Sequence, residues 1–193
     1  FEYYYLGPGF RADLGYFQRT GIHQNINHLM FEPRVEAAGI ERIRFFIAAD
    51  GTWGTERSKL LDHNTAMGLK LSGIGGWGLG FEWMTGALTV DEDFTVGKAT
   101  LISEGRYVRE RFKANLSTPY TAPVVLELAG LQEDYFDGTR RNAYAKVLFK
   151  PAPLFRFDTA LNYDRIRFSD GRDGFDSWIL NGRVTLGFST RLG

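Results

Sequence analysis

The chain has no cysteine and only three histidines and six prolines among its 193 residues. Without cysteine there can be no disulfide scaffold, no thiolate metal site and no cysteine nucleophile, and three histidines leave little material for a zinc centre. Charge of one sign is also missing. Twenty-three basic residues balance twenty-three acidic ones, which excludes a basic nucleic-acid-coating surface and an acidic tail. No apolar run approaches the roughly 20 residues of a membrane helix, since the richest, Phe45-Phe46-Ile47-Ala48-Ala49, stops at Asp50. The start, Phe1-Glu2-Tyr3-Tyr4-Tyr5, has neither a basic nor an apolar leader region, so the chain is expected to follow a removed signal or to be an internal piece of a longer one. No serine lies in a Gly-x-Ser-x-Gly setting, so there is no nucleophile elbow.

Aromatics and glycine are abundant. Aromatic residues make up 15% of the chain and glycine appears 23 times, well above its usual share of about 7%. A period of two dominates and no helical spacing is sustained, which predicts an all-β protein. Ile43, Phe45, Ile47 and Ala49 alternate with Arg42, Arg44 and Asp50; Trp77, Leu79, Phe81 and Trp83 alternate with Gly78, Gly80 and Glu82. Phe112, Ala114 and Leu116 oppose Arg111, Lys113 and Asn115, with Glu110 an exception on the apolar side. The pattern returns in Val124 to Leu128, Ala143 to Phe149, Phe155 to Tyr163 and Trp178 to Phe188. About nine strands result, each of about 9 to 13 residues, where soluble strands usually have about 5 to 6 and a tilted membrane strand about 9 to 11.

Short turns such as 73–76 and 150–153 alternate with long polar connections near 52–64, 91–105, 133–141 and 165–177. That rhythm fits an antiparallel up-and-down transmembrane β-barrel, in which only the outward parity must be apolar because backbone groups pair across the sheet. A mean hydropathy of −0.24 is compatible with such a barrel. Trp53, Trp77, Trp83, Tyr163 and Trp178 are the candidates for aromatic girdles at the membrane interfaces. The competing reading is a soluble β-barrel or sandwich that uses these aromatics as core and binds an apolar ligand.

The inward parity carries Arg42, Arg44, Lys70, Arg109, Arg111, Lys113, Lys146, Lys150, Arg156 and Arg183 against Asp50, Glu82, Glu127, Asp158 and Asp164. Two readings stand side by side: a lumen that favours anions, or internal ion pairs that brace a filled barrel. Other candidates are weaker. Asp91-Glu92-Asp93 and the loop from Asp170 to Asp176 lack the ligand spacing of a calcium site. His23 and His28, five apart, fall on opposite faces of a strand. The glycine run 73–80 lacks the Lys-Ser/Thr ending of a phosphate loop and marks a kink or a crowded lumen. No catalytic, cofactor-binding or metal-binding residue is assigned.

Two segments carry a family resemblance. Gly7-Pro8-Gly9-Phe10, then Leu14-Gly15-Tyr16 and Arg19-Thr20, form one; Phe175-Asp176-Ser177-Trp178, Asn181-Gly182-Arg183 and Leu186-Gly187-Phe188-Ser189-Thr190-Arg191-Leu192 form the other. The chain resembles the carboxy-terminal outer-membrane barrel, a domain of unknown function, of long bacterial proteins with an amino-terminal domain like carbohydrate-binding module family nine. The alternation divides the chain into a lead-in over 1–21 and barrel strands over 22–193. Because about nine is an odd count where single-chain bacterial barrels close with an even one, the chain is expected to be part of a larger even-numbered barrel. The resemblance implies the bacterial outer membrane as location, its lipid and the remainder of the chain or another membrane subunit as partners, and carbohydrate by resemblance alone. The expected role is a pore, transport or membrane-anchoring element without cofactor. An apolar-ligand binder and an outer-membrane hydrolase are the alternatives.

Overall fold

The computed structural model describes residues 1–7, 20–55, 59–96, 100–152, 154–169, 171 and 173–187, and every regular element in it is a β-strand. They are β1 (Glu2–Leu6), β2 (Ile22–Phe31), β3 (Arg34–Ala37), β4 (Ile40–Gly54), β5 (Leu60–Gly73), β6 (Gly78–Val90), β7 (Phe94–Val96), β8 (Thr100–Ile102), β9 (Gly105–Ser117), β10 (Val124–Tyr135), β11 (Gly138–Ala152), β12 (Phe155–Phe168) and β13 (Phe175–Leu186).

Eleven strands form one antiparallel up-and-down sheet in the order β1-β2-β4-β5-β6-β9-β10-β11-β12-β13, with β3 also on β4, and β7 and β8 make a separate small hairpin. The expected count of about nine corresponds to the nine strands of ten residues or more. The sheet is open: among the described residues no ladder joins β13 to β1. Residues 8–19 and 188–193, which carry much of the family resemblance, lie outside the described residues.

One end of the sheet carries tight connections. Between β3 and β4 only Ala38 (φ 53°) and Gly39 (φ 77°) intervene, two successive positive φ values of the kind that match the twist of a hairpin. The other end carries the longer connections, including 91–104 and 169–174. Several of these are shorter than the sequence spacing suggests. The polar stretch 133–141 is mostly strand, turning at Phe136 and Asp137 alone, and in 52–64 the strands continue to Gly54 and resume at Leu60.

The register unites the alternating segments. Phe31, Phe45, Leu69, Phe81, Ala114, Gly130, Ala143, Tyr163 and Trp178 lie opposite one another in a single row across nine strands. The next row on the same face runs Ile43, Leu71, Leu79, Leu116, Leu128, Ala145, Leu161 and Leu180. Because a slip of one residue would turn every side chain to the other face, these ladders place all the apolar parities on one side. Packing follows from that separation. The buried apolar cluster is small and sits on the other face at the long-connection end, around Val90, Ile102, Ile166 and Phe168.

Candidate functional site

The first candidate surface is the apolar face, which no other described element covers. Leu29 is 71% exposed, Leu180 74% and Trp178 64%, and Phe45, Ile47, Phe81, Phe112, Val124 and Val184 are exposed with them. A continuous apolar surface of this extent far exceeds the isolated exposed hydrophobes of ordinary soluble proteins. On β12 the belt runs from Phe155 to Tyr163, nine residues; at about 3.3 Å per residue and a tilt of about 40° this spans roughly 23 Å, close to the ~25 Å apolar band of outer-membrane barrels. Beyond it, toward the long connections, the same face turns polar along a row through Thr65, Thr85, Glu110, Asp134, Thr139 and Arg167.

Four of the five candidate girdle residues lie at the belt's edges. Trp77, at the short-turn end, lays its ring where a side chain of Gly73 would stand. At the opposite edge the rings of Tyr163 and Trp178 are 4.1 Å apart, and Trp83 donates its indole N–H to Glu110 Oε1 at 2.6 Å. That bond accounts for Glu110 on the apolar parity: it gives the tryptophan a polar partner at the boundary, where an amphipathic ring is stable. Trp53 stands apart. It lies three outward positions beyond Ile47 on β4, past Ala49 and Gly51, with its ring folded over Gly51.

The second surface is the polar face, and nine of the ten basic residues named for it lie there by register: Arg42, Arg44, Lys70, Arg109, Arg111, Lys113, Lys146, Arg156 and Arg183; Lys150 falls where the β11–β12 register shifts. Five have carboxylate partners. Arg44 Nε is 2.5 Å from Glu32 and Arg42 Nη1 3.6 Å from the same carboxylate; Arg111 reaches Glu82 at 2.6 Å, Lys146 reaches Glu127 at 3.4 Å, and Arg156 reaches Asp158 at 2.8 Å. Arg109 donates to Asn64 Oδ1 at 2.6 Å, reaching over Gly86, where a Cβ would stand 2.7 Å from that same oxygen. Lys70, Lys113 and Arg183 have no carboxylate within 4.0 Å among the described residues.

Sequence reasoning missed the centre of this network. Arg140 donates to Asp164 Oδ1 at 2.7 Å and to Glu133 Oε1 at 3.1 Å, and Asn162 and Asn142 extend the chain of bonds from Asp164. At the long-connection end of the polar face β8 packs onto the sheet. Its Ile102 is 1% exposed and packs with Val90 of β6 and Ile166 and Phe168 of β12, while Tyr107, Tyr135, Phe136 and Phe175 surround them. Phe136, at positive φ, is held by ring contacts to Tyr135, Tyr107 and Phe94 at 4.8, 5.2 and 5.5 Å. Replacing Ile102 with Ala is expected to cost about 2–5 kcal/mol of docking energy for this segment, read as faster protease cleavage within 91–104 while the rest of the sheet stays resistant.

The remaining candidates do not converge. His23 faces the apolar side beside Trp53 and His28 the polar side beside Ala48, while His63 receives Arg106 at 3.1 Å. Asp93 accepts the Glu104 amide at 2.7 Å. Among the described residues no group of three or more His, Asp or Glu side chains is placed to hold a metal ion. None of the protein-family models, curated proteins or solved structures compared with the chain matches it.

Proposed function

We propose that this chain forms wall strands of a transmembrane β-barrel in a bacterial outer membrane, with the apolar face toward lipid and the ion-paired face toward the barrel interior. The observation that carries this is the register-linked apolar belt, aromatic at its edges and backed by a polar second face. A soluble sheet would cover such a belt with another layer, whereas lipid covers it without further protein. Within the pore, transport and anchoring roles, the five ion-paired cations favour a braced wall over an anion-selective path.

Full-length protein tests the reading directly. It is expected to fold only with detergent or lipid and to change electrophoretic mobility on boiling. Folding in plain buffer to a monomeric species with an apolar interior would overturn it in favour of the soluble ligand binder. In planar bilayers a braced wall gives little or no anion preference, and a reversal potential set by anions would restore the conducting lumen.

A further inference from the structure

The apolar face contains a depression with a charged rim. In the row Phe81, Ala114, Gly130, Ala143 the side chains shrink across β9, β10 and β11, and a cavity of about 810 Å³ opens there, walled by Phe81, Phe112 and Met67. That volume lies within the ~300–1,000 Å³ typical of ligand sites. Arg141 lies on its margin. It is directly opposite Arg165 on the neighbouring strand, with Gln132 on its other side. Both arginines are exposed.

Two guanidinium groups facing each other across a ladder repel, at Cα separations of about 4.5–5.5 Å. The neighbouring carboxylates bond other groups. Asp176, opposite Arg165, is 3.0 Å from Arg167 instead; Glu110 accepts from Trp83, and Asp134 accepts the Glu110 amide at 2.9 Å. Neither Arg141 nor Arg165 has a carboxylate within 4.0 Å among the described residues. A cation pair at the polar edge of an apolar groove matches a ligand with an anionic head and hydrocarbon below it. A phosphate between the two forks would turn repulsion into charge-assisted, bidentate hydrogen bonds.

We infer that Arg141 and Arg165 bind the phosphate of a phosphorylated, multiply acylated glycolipid whose acyl chain enters the depression over Ala114, Gly130 and Ala143. The inference rests on the barrel reading above and gives it a lipid partner. The side of the membrane follows from the connections: Arg141 and Arg165 lie toward the end that carries 91–104 and 169–174, the outward-facing end of an outer-membrane barrel. There the surrounding leaflet presents sugar-linked phosphates at headgroup depth.

The test uses the full-length protein in detergent micelles, with lipid A, its dephosphorylated form and phosphatidylglycerol as probes and native mass spectrometry as readout. Lipid A is expected to be retained at least tenfold better than either comparison lipid. The double variant Arg141→Ala/Arg165→Ala is expected to lose that preference, as is Ala114→Phe, which fills the groove, while Lys70→Ala on the opposite face keeps it. Equal retention of dephosphorylated lipid A, or unchanged retention by the double variant, overturns the site. Equal retention of phosphatidylglycerol assigns the rim to phospholipid, and a dimer seated on this face assigns the groove to a second copy; either refutes the glycolipid. Heat-modifiable mobility of every variant shows that the barrel reading survives such a failure, whereas wild-type folding without detergent removes both.

Discussion

Val147→Arg is expected to destabilise the protein in lipid vesicles by about 2–4 kcal/mol, while Thr139→Arg on the same strand and face changes stability by about 0–1 kcal/mol. Both positions belong to β11 and both point to the apolar side, eight residues apart. Val147 stands in the middle of the belt, flanked along the strand by Ala143, Ala145 and Phe149 and across it by Leu126 and Thr159. Thr139 lies opposite Asp134 and Arg167, where the face has already turned polar. An arginine at 147 must reach water along a hydrocarbon path or drag water inward; at 139 it meets headgroups and solvent. Reversible denaturant unfolding in vesicles reads the difference. The comparison separates a lipid-covered face from a water-exposed one, because on the latter neither arginine would cost more than a few tenths of a kcal/mol. Equal small effects at the two positions would therefore refute a lipid-facing belt.

The same boundary decides how much of this molecule could be read from sequence. Inside the belt one parity must be apolar and the other is free to be polar, so β4, β9, β12 and β13 announce themselves by alternation, and the register agrees with the faces assigned to Phe45, Phe112, Leu161 and Leu180. Beyond the belt the formerly apolar parity turns polar, while the other parity carries both polar groups and the small Ile102 cluster, and hydropathy loses its period of two. The stretch 132–141, with Gln132, Glu133 and Asp134 before the turn and Arg140 and Arg141 after it, is continuous strand on either side of Phe136 and Asp137, yet its composition is that of a surface loop. For that reason Arg140 escaped notice on the polar face and Arg141 on the rim of the groove. The placement of Ile102 was illegible for another reason: its burial depends on β6 and β12, which are distant in sequence. Trp53 shows the converse. Its type suited a girdle, but only the length of β4 reveals that it lies beyond the edge of the apolar belt.

Arg140 gives the second large effect. Its guanidinium stands between two carboxylates, Glu133 on β10 and Asp164 on β12, whose side chains are only 15% and 16% exposed. Arg140→Met would leave two carboxylates facing each other across β11 with no cation between them. For a fully buried pair, loss of one partner costs about 3–5 kcal/mol; with Arg140 itself one-third exposed, water screens part of that and about 2–3 kcal/mol is expected. Most of the cost comes from the stranded charges, not from the lost attraction. The triple variant Arg140→Met, Glu133→Gln, Asp164→Asn should therefore recover most of the stability, because it removes all three charges while keeping similar volumes. Unfolding measurements on the single and triple variants test this. If the triple variant is as unstable as the single one, the arginine acts through packing. If neither loses stability, the network does not brace the wall, and the cations of the polar face become available for a solute.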